Sequence, residues 1–169
     1  MSRFISIDFS AIDNIISELQ GISDRASDLK PVASLVALVI SSYTDDVFKS
    51  APKTRDGGIV FNGESWEPLT EKYLKARRKL KKKSKNRDNG YILRDTGALL
   101  NSLLSRSESK FYAKNTSTNA FEYGSDFIEF GTNLPQGYNN NKRPFLAHTD
   151  SLSELVEKVI ENYILTGET

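Results

Sequence analysis

The sequence predicts an α+β fold, with long N-terminal helices and a C-terminal helix packed around a small antiparallel β-sheet. Three observations predict it. Apolar residues recur at helical spacing over 10–19, 32–47 and 152–164. Between these stretches, short runs rich in β-branched and aromatic residues are punctuated by Gly, Asn and Asp turn signals. The chain has 169 residues and no internal repeat, a length that suits one domain. We expect a helical region over 1–52 and an α+β core over 53–169, joined as one structural domain.

The first helix is expected from Ser10. Phe9, Ile12, Ile15, Ile16 and Leu19 share a face, and Ser10 caps with Asp8 and Asp13 near the positive helix end. Gly21 is a stop signal. A second helix starts around Leu29-Lys30-Pro31, since the donor that proline lacks would find no partner in a first turn. Val32, Leu35, Val36, Val39, Ile40, Tyr43 and Val47, with Ala37 and Leu38, make it the most buried helix, ending near Ser50-Ala51-Pro52. Its longest apolar stretch, Val32 to Ile40, is too short for a bilayer, so no membrane span is expected. Asp56-Gly57-Gly58 and Asn62-Gly63 are turns around a short strand at Ile59-Val60-Phe61. Trp66 is expected to pack across the helix pair and donate its N–H to a backbone carbonyl. A third helix opens at Pro68-Leu69-Thr70-Glu71 and fades after Leu80 into a loop over 81–90.

Asp95 or Thr96 caps a short helix whose face is Leu99, Leu100, Leu103 and Leu104. Strands over 105–114 and 120–123 are expected to pair as a hairpin around residues 115–119. Ser125 or Asp126 caps one helical turn holding Phe127, Ile128 and Phe130, stopped at Gly131. Gly97 and Gly131 are expected to allow tight turns or positive φ. A polar loop over 132–142 precedes Arg143-Pro144-Phe145-Leu146. Asp150 or Ser151 caps a last helix with Leu152, Leu155, Val156, Val159, Ile160, Tyr163 and Ile164 on one face.

Charge is unevenly placed. Between Lys72 and Arg87 there are ten basic residues and no acidic one, while the rest of the chain carries 13 basic and 22 acidic residues. Such a run is a solvated helix end and loop, or a contact with nucleic acid or an acidic protein surface. Lys75, Arg77, Arg78, Lys79, Lys81, Lys82, Lys83, Lys85 and Arg87 are the candidate contacts to a partner or to DNA. Only Tyr73 and Tyr91 flank the run, which does not favour base stacking on single strands.

No catalytic set, metal site or cofactor site is expected. Cys is absent, which excludes disulfides, thiolate metal sites and a Cys nucleophile, and the single His148 excludes a multi-His metal site. His148 with Asp150 reads as a local hydrogen-bonding cluster, and no Ser lies in a nucleophile-elbow pattern that would make it a hydrolase. Asp45-Asp46 sit near a helix C-terminus, and Gly57-Gly58 lacks the Gly-Lys-Ser/Thr of a phosphate loop. Glu122, Asp126 and Glu129 are acidic but do not converge as a nuclease site requires. The N-terminal residues show no secretory signal, so a cytosol-like compartment is expected.

Four elements in order carry a family resemblance. They are Phe61-Asn62-Gly63-Glu64-Ser65-Trp66-Glu67-Pro68-Leu69-Thr70, then Ile92-Leu93-Arg94-Asp95-Thr96-Gly97-Ala98-Leu99, then Phe127-Ile128-Glu129-Phe130-Gly131-Thr132, and Arg143-Pro144-Phe145-Leu146 before a C-terminal helix. This order resembles the phage virion morphogenesis family, the Mu-like tail completion proteins, over about residues 60–165. One departure stands out: Ile128-Glu129 replaces the family's usual His or Gln before Phe-Gly. The resemblance implies a non-enzymatic virion protein, assembled in the bacterial host cytoplasm, that acts in tail completion or head–tail joining. It implies a ring of copies and contact with portal-side connector or tail tube and terminator proteins; in such a ring the basic segment 72–87 either meets the acidic face of a neighbour or lines the lumen and touches passing phage DNA. It marks Trp66, Pro68, Leu69, Thr96, Gly97, Phe130, Gly131, Arg143, Pro144 and Phe145 as structural motif residues. The alternative is a nucleic-acid-binding module using 72–87.

Overall fold

The structure is a computed structural model; it describes residues 10–81, 90–94, 98–104, 106–107, 110–111, 119–132 and 140–169. Within these residues the fold is α+β. The helices are α1 (Ser10–Ser27), α2 (Ala33–Lys49), α3 (Glu71–Lys81), α4 (Ala98–Leu104) and α5 (Asp150–Thr166). The strands form three separate two-stranded antiparallel ladders: β1 (Gly58–Ile59) with β2 (Ser65–Trp66), β3 (Arg106–Ser107) with β4 (Lys110–Phe111), and β5 (Asn119–Tyr123) with β6 (Ile128–Thr132).

Helix α2 is the spine. Pro31 sits in a 3-10 turn, Lys30–Val32, that leads directly into it. Val36, Ala37, Tyr43, Val47 and Phe48 are buried, and α4 and α5 pack against the helix. The Ser41 hydroxyl donates to Leu103 O at 3.2 Å, which fixes α4 on this spine. Taken with its 3-10 turn, Lys30–Lys49 is 20 residues long with mean hydropathy 1.2, enough by length and composition to cross a membrane. That corrects the expectation drawn from the shorter stretch Val32 to Ile40. More than half of its most apolar window is buried inside the fold, as in a core helix.

Gly21 does not stop α1, which runs on to Ser27. A Cβ at Gly21 would sit 3.3 Å from Arg25 Nη1, so the guanidinium lies close over the glycine. Arg25 donates to Ile164 O (2.6 Å) and Leu165 O (3.1 Å), the free carbonyls at the end of α5. Gly167, at φ 79°, closes α5 by donating to Tyr163 O. At the other end the cap is Thr149, one residue before the expected Asp150, and its Oγ1 accepts from Leu152 N.

The pairing of the strands differs from the expectation in two ways. Residues 119–123 pair with 128–132, in the register Phe121 opposite Phe130, and not with 105–114. Among the described residues of 105–114, Arg106–Ser107 pairs locally with Lys110–Phe111. The helical turn expected over 127–130 is strand β6. Gly124 N donates to Phe127 O at 2.9 Å, so Ser125 and Asp126 occupy a hairpin turn and do not cap a helix. From there Ile128 and Phe130 alternate with exposed Glu129 at period two, and both pack on Ala33 and Ala37 of α2. Gly131 lies within the ladder opposite Ala120 and is not among the positive-φ glycines, which removes the turn role expected of it.

The main core joins Tyr43, Val47 and Phe48 of α2 to Val60, Trp66, Ile92, Leu99, Leu103 and Phe145. A second cluster, Val32, Val36 and Tyr163, lies between α2 and α5. The Asp95–Gly97 cap region and the turn at 115–118 lie outside the described residues.

Candidate docking surfaces

The first and last motifs of the chain meet. Asn62 Nδ2 and Trp66 Nε1 both donate to Pro144 O, at 3.1 and 3.2 Å. Arg143 donates back: its Nε and Nη2 reach Glu67 O at 3.2 and 3.1 Å, and Nη2 also reaches Pro68 O at 3.4 Å. Asn140 supports the returning chain, since its Oδ1 accepts from Phe145 N and Leu146 N and its Nδ2 donates to Leu146 O. The buried rings of Trp66 and Phe145 both lean on Phe48, with centroids 6.1 and 5.5 Å away. Trp66 thus packs against α2 and donates to a carbonyl, as expected. Leu69 and Phe130 pack on the same core. Gly57 permits the close approach: it sits at φ +65°, and a Cβ there would lie 2.8 Å from Trp66 O and from Pro68 Cδ. Thr96 and Gly97 lie outside the described residues.

The basic candidates divide. Lys75, Arg78 and Lys79 are exposed on α3, as is Lys72. Arg77 is not: only 4% of it is accessible, and its Nη1 donates to Tyr91 O at 3.3 Å. It falls on the inner face with Leu74, three residues before it, so α3 keeps this cation for the fold and presents Lys72, Lys75, Arg78 and Lys79. Exposed Tyr73 and Ala76 lie beside Lys72 and Lys79 on the helix surface. Lys81 ends α3, and Lys82, Lys83, Lys85 and Arg87 lie outside the described residues.

A groove of about 470 Å³ opens between α2, β6, the 145–148 segment and α5. Ile40, Phe130, Leu146 and Val156 are among its lining, with His148 and Glu157 also facing it. His148 Nδ1 lies 3.1 Å from Ser153 Oγ, so the histidine is tied to the first turn of α5. Among the described residues no cluster of three or more His, Asp or Glu can hold a metal ion. The β5–β6 register does set Glu122 directly opposite Glu129, both exposed, with Asp126 in the connecting turn. Asp45 and Asp46 are occupied by Lys49, whose Nζ lies 3.0 Å from each. Those bonds, Asp45 first, hold the exposed Lys49 ammonium above its ordinary pKa.

The remaining surface was not legible as such. Every residue from Asn14 to Gln20 on α1 is exposed, including Ile15 (54%), Ile16 (58%) and Leu19 (60%). Ile15, Ile16 and Leu19, from the apolar stripe that defines this helix in sequence, therefore have no cover within the described residues. Compared with models of protein families, with curated proteins and with solved structures, the chain matches none.

Proposed function

We propose that this protein is a structural, non-enzymatic building block of a phage tail or neck, working in tail completion or head–tail joining. The observation that carries the reading is the lock between the two outer motifs. Elements 61–70 and 143–146, which motivate the resemblance, hold one another through Pro144 O and the carbonyls of Glu67 and Pro68. Residues that look like a family signature are thus spent on one shared core, and the surfaces left over suit assembly. An apolar helix stripe and a cationic helix face lie on different elements, which is the arrangement that head-to-tail contacts between copies require.

Purified protein, mixed with tail tubes from a host phage and viewed by electron microscopy, tests the reading. Closed rings, or particles capping the tubes, are expected. A protein that stays monomeric at high concentration and leaves tubes bare would refute it. The exposed row Lys72, Lys75, Arg78 and Lys79 favours a second reading, a nucleic-acid-binding module. It requires DNA affinity by the free protein that falls steeply with salt, without sequence preference.

A further inference from the structure

We infer that the exposed half of α1 is an arm that docks on the Lys72–Lys79 face of α3 in a second copy of this chain. The inference deepens the assembly reading above and rests on it. The arm begins as an energetic problem. Two turns of helix, Asn14–Gln20, are exposed on all sides, and short helices in water take most of their stability from packing an apolar face. Here that face, Ile15, Ile16 and Leu19, is more than half accessible. The helix is held near its far end, where Arg25 grips the last carbonyls of α5.

Charge selects the receiving surface. In sequence, Ser10–Ser27 carries Asp13, Glu18 and Asp24 against Arg25, and Arg25 is committed to α5. The apolar groove beside α5 is a poor host, since exposed Glu157 lines it and Lys158, which does not line it, is outnumbered on that helix by exposed Glu154, Glu157 and Glu161. The α3 face is a good one. Tyr73 and Ala76, three residues apart, give it a narrow apolar strip, and Lys72 and Lys79 flank that strip. The small Ala76 lets a second helix approach closely, and the lysine stems add apolar cover while their ammonium groups meet Glu18. Donor and acceptor are different surfaces, so the contact propagates from copy to copy and closes only as a ring. One helix pair buries less than the roughly 1,200 Å² of a stable complex, so each contact is weak and salt-sensitive and gains strength on closure.

The absence of Cys allows a direct test. Leu19→Cys and Ala76→Cys are made in separate full-length chains, mixed, and mildly oxidised. Disulfide-linked pairs are expected in the mixture and not from either variant alone, with a lower yield at high salt. In the mixture, Glu18→Lys on the arm should cut the yield by about fivefold, as should Lys72→Glu with Lys79→Glu on the other chain. Combining the reversed partners should restore it. Circular dichroism checks that each variant folds. Linkage of Leu19→Cys to itself, or to Val156→Cys in the groove in preference to Ala76→Cys, would overturn the inference. So would the lack of any linkage. Rings or capped tubes without this linkage sink only the arm contact; bare tubes and a permanent monomer sink the assembly reading as well.

Discussion

Pro144 O receives two side-chain donors, Asn62 Nδ2 and Trp66 Nε1, and that sharing has a measurable signature. Trp66→Phe removes one N–H bond, worth about 1 kcal/mol net. Shrinking the ring in a fully buried site loses about 1–2 kcal/mol more in packing. Asn62→Ala removes the other donor and also the turn bond from Glu64 N to Asn62 Oδ1, together about 1–1.5 kcal/mol. Each single variant leaves the carbonyl one partner. The double variant leaves it none, which adds a penalty at the low end of about 1–3 kcal/mol because the site is only part-buried. The double variant should therefore lose about 1 kcal/mol more than the sum of the singles. The turn bond and the lost ring volume each appear on both sides of the cycle and cancel. Guanidinium unfolding followed by far-UV circular dichroism is the assay, since Trp66 is the only tryptophan and two variants lack it. Strict additivity, within about 0.3 kcal/mol, would refute the shared-acceptor account.

Three further outcomes follow from the same structure. Arg143→Ala should lower unfolding free energy by about 1 kcal/mol, and Arg143→Lys should recover little of it, because an ammonium cannot reproduce the fork across Glu67 O and Pro68 O. Gly57→Ala should lose about 2 kcal/mol or more, from positive φ and the clash with Trp66 O, whereas Gly131→Ala, with open space at its Cβ, should stay within about 0.5 kcal/mol by the same denaturation assay. Lys49 titrates above 10.5 in the fold, so its pairing is fully present at neutral pH and is lost as pH rises through the folded value. The thermal midpoints of wild type and Lys49→Met should accordingly differ by a constant amount around neutrality and converge only in strong alkali.

Helices were legible in this sequence because periodicity and punctuation agree. Pro31 marks the start of the α2 region, Leu99 to Leu104 give α4 its buried face, and Leu152 to Ile164 trace α5. The hairpin of β5 and β6 was not, because Ser125, Asp126 and Gly131 fit a capped helical turn as well as a strand reversal. What decides is distant: Ala33 and Ala37 on α2 offer a flat, small surface that Ile128 and Phe130 can meet only at period two. Gly21 misled for a similar reason, since α1 runs past it to Ser27 and Arg25 lies close over it. At the candidate surfaces, composition located the cationic helix but could not single out Arg77, whose helical position turns it inward to Tyr91. Asn140 and the second role of Asn62 were hidden because an amide that organises a backbone looks, in sequence, like any loop asparagine.

The late arrival of Pro144 and Phe145 at the core that holds Trp66 also bears on how the chain is made. About eighty positions separate the indole from the carbonyl it donates to, and Phe145 completes the same core, so during synthesis that core stays open until residues 144 and 145 have left the ribosome. A nascent chain halted before Arg143 would expose the largest side chain of that core. Unfinished chains would thus present that apolar surface to chaperones and proteases.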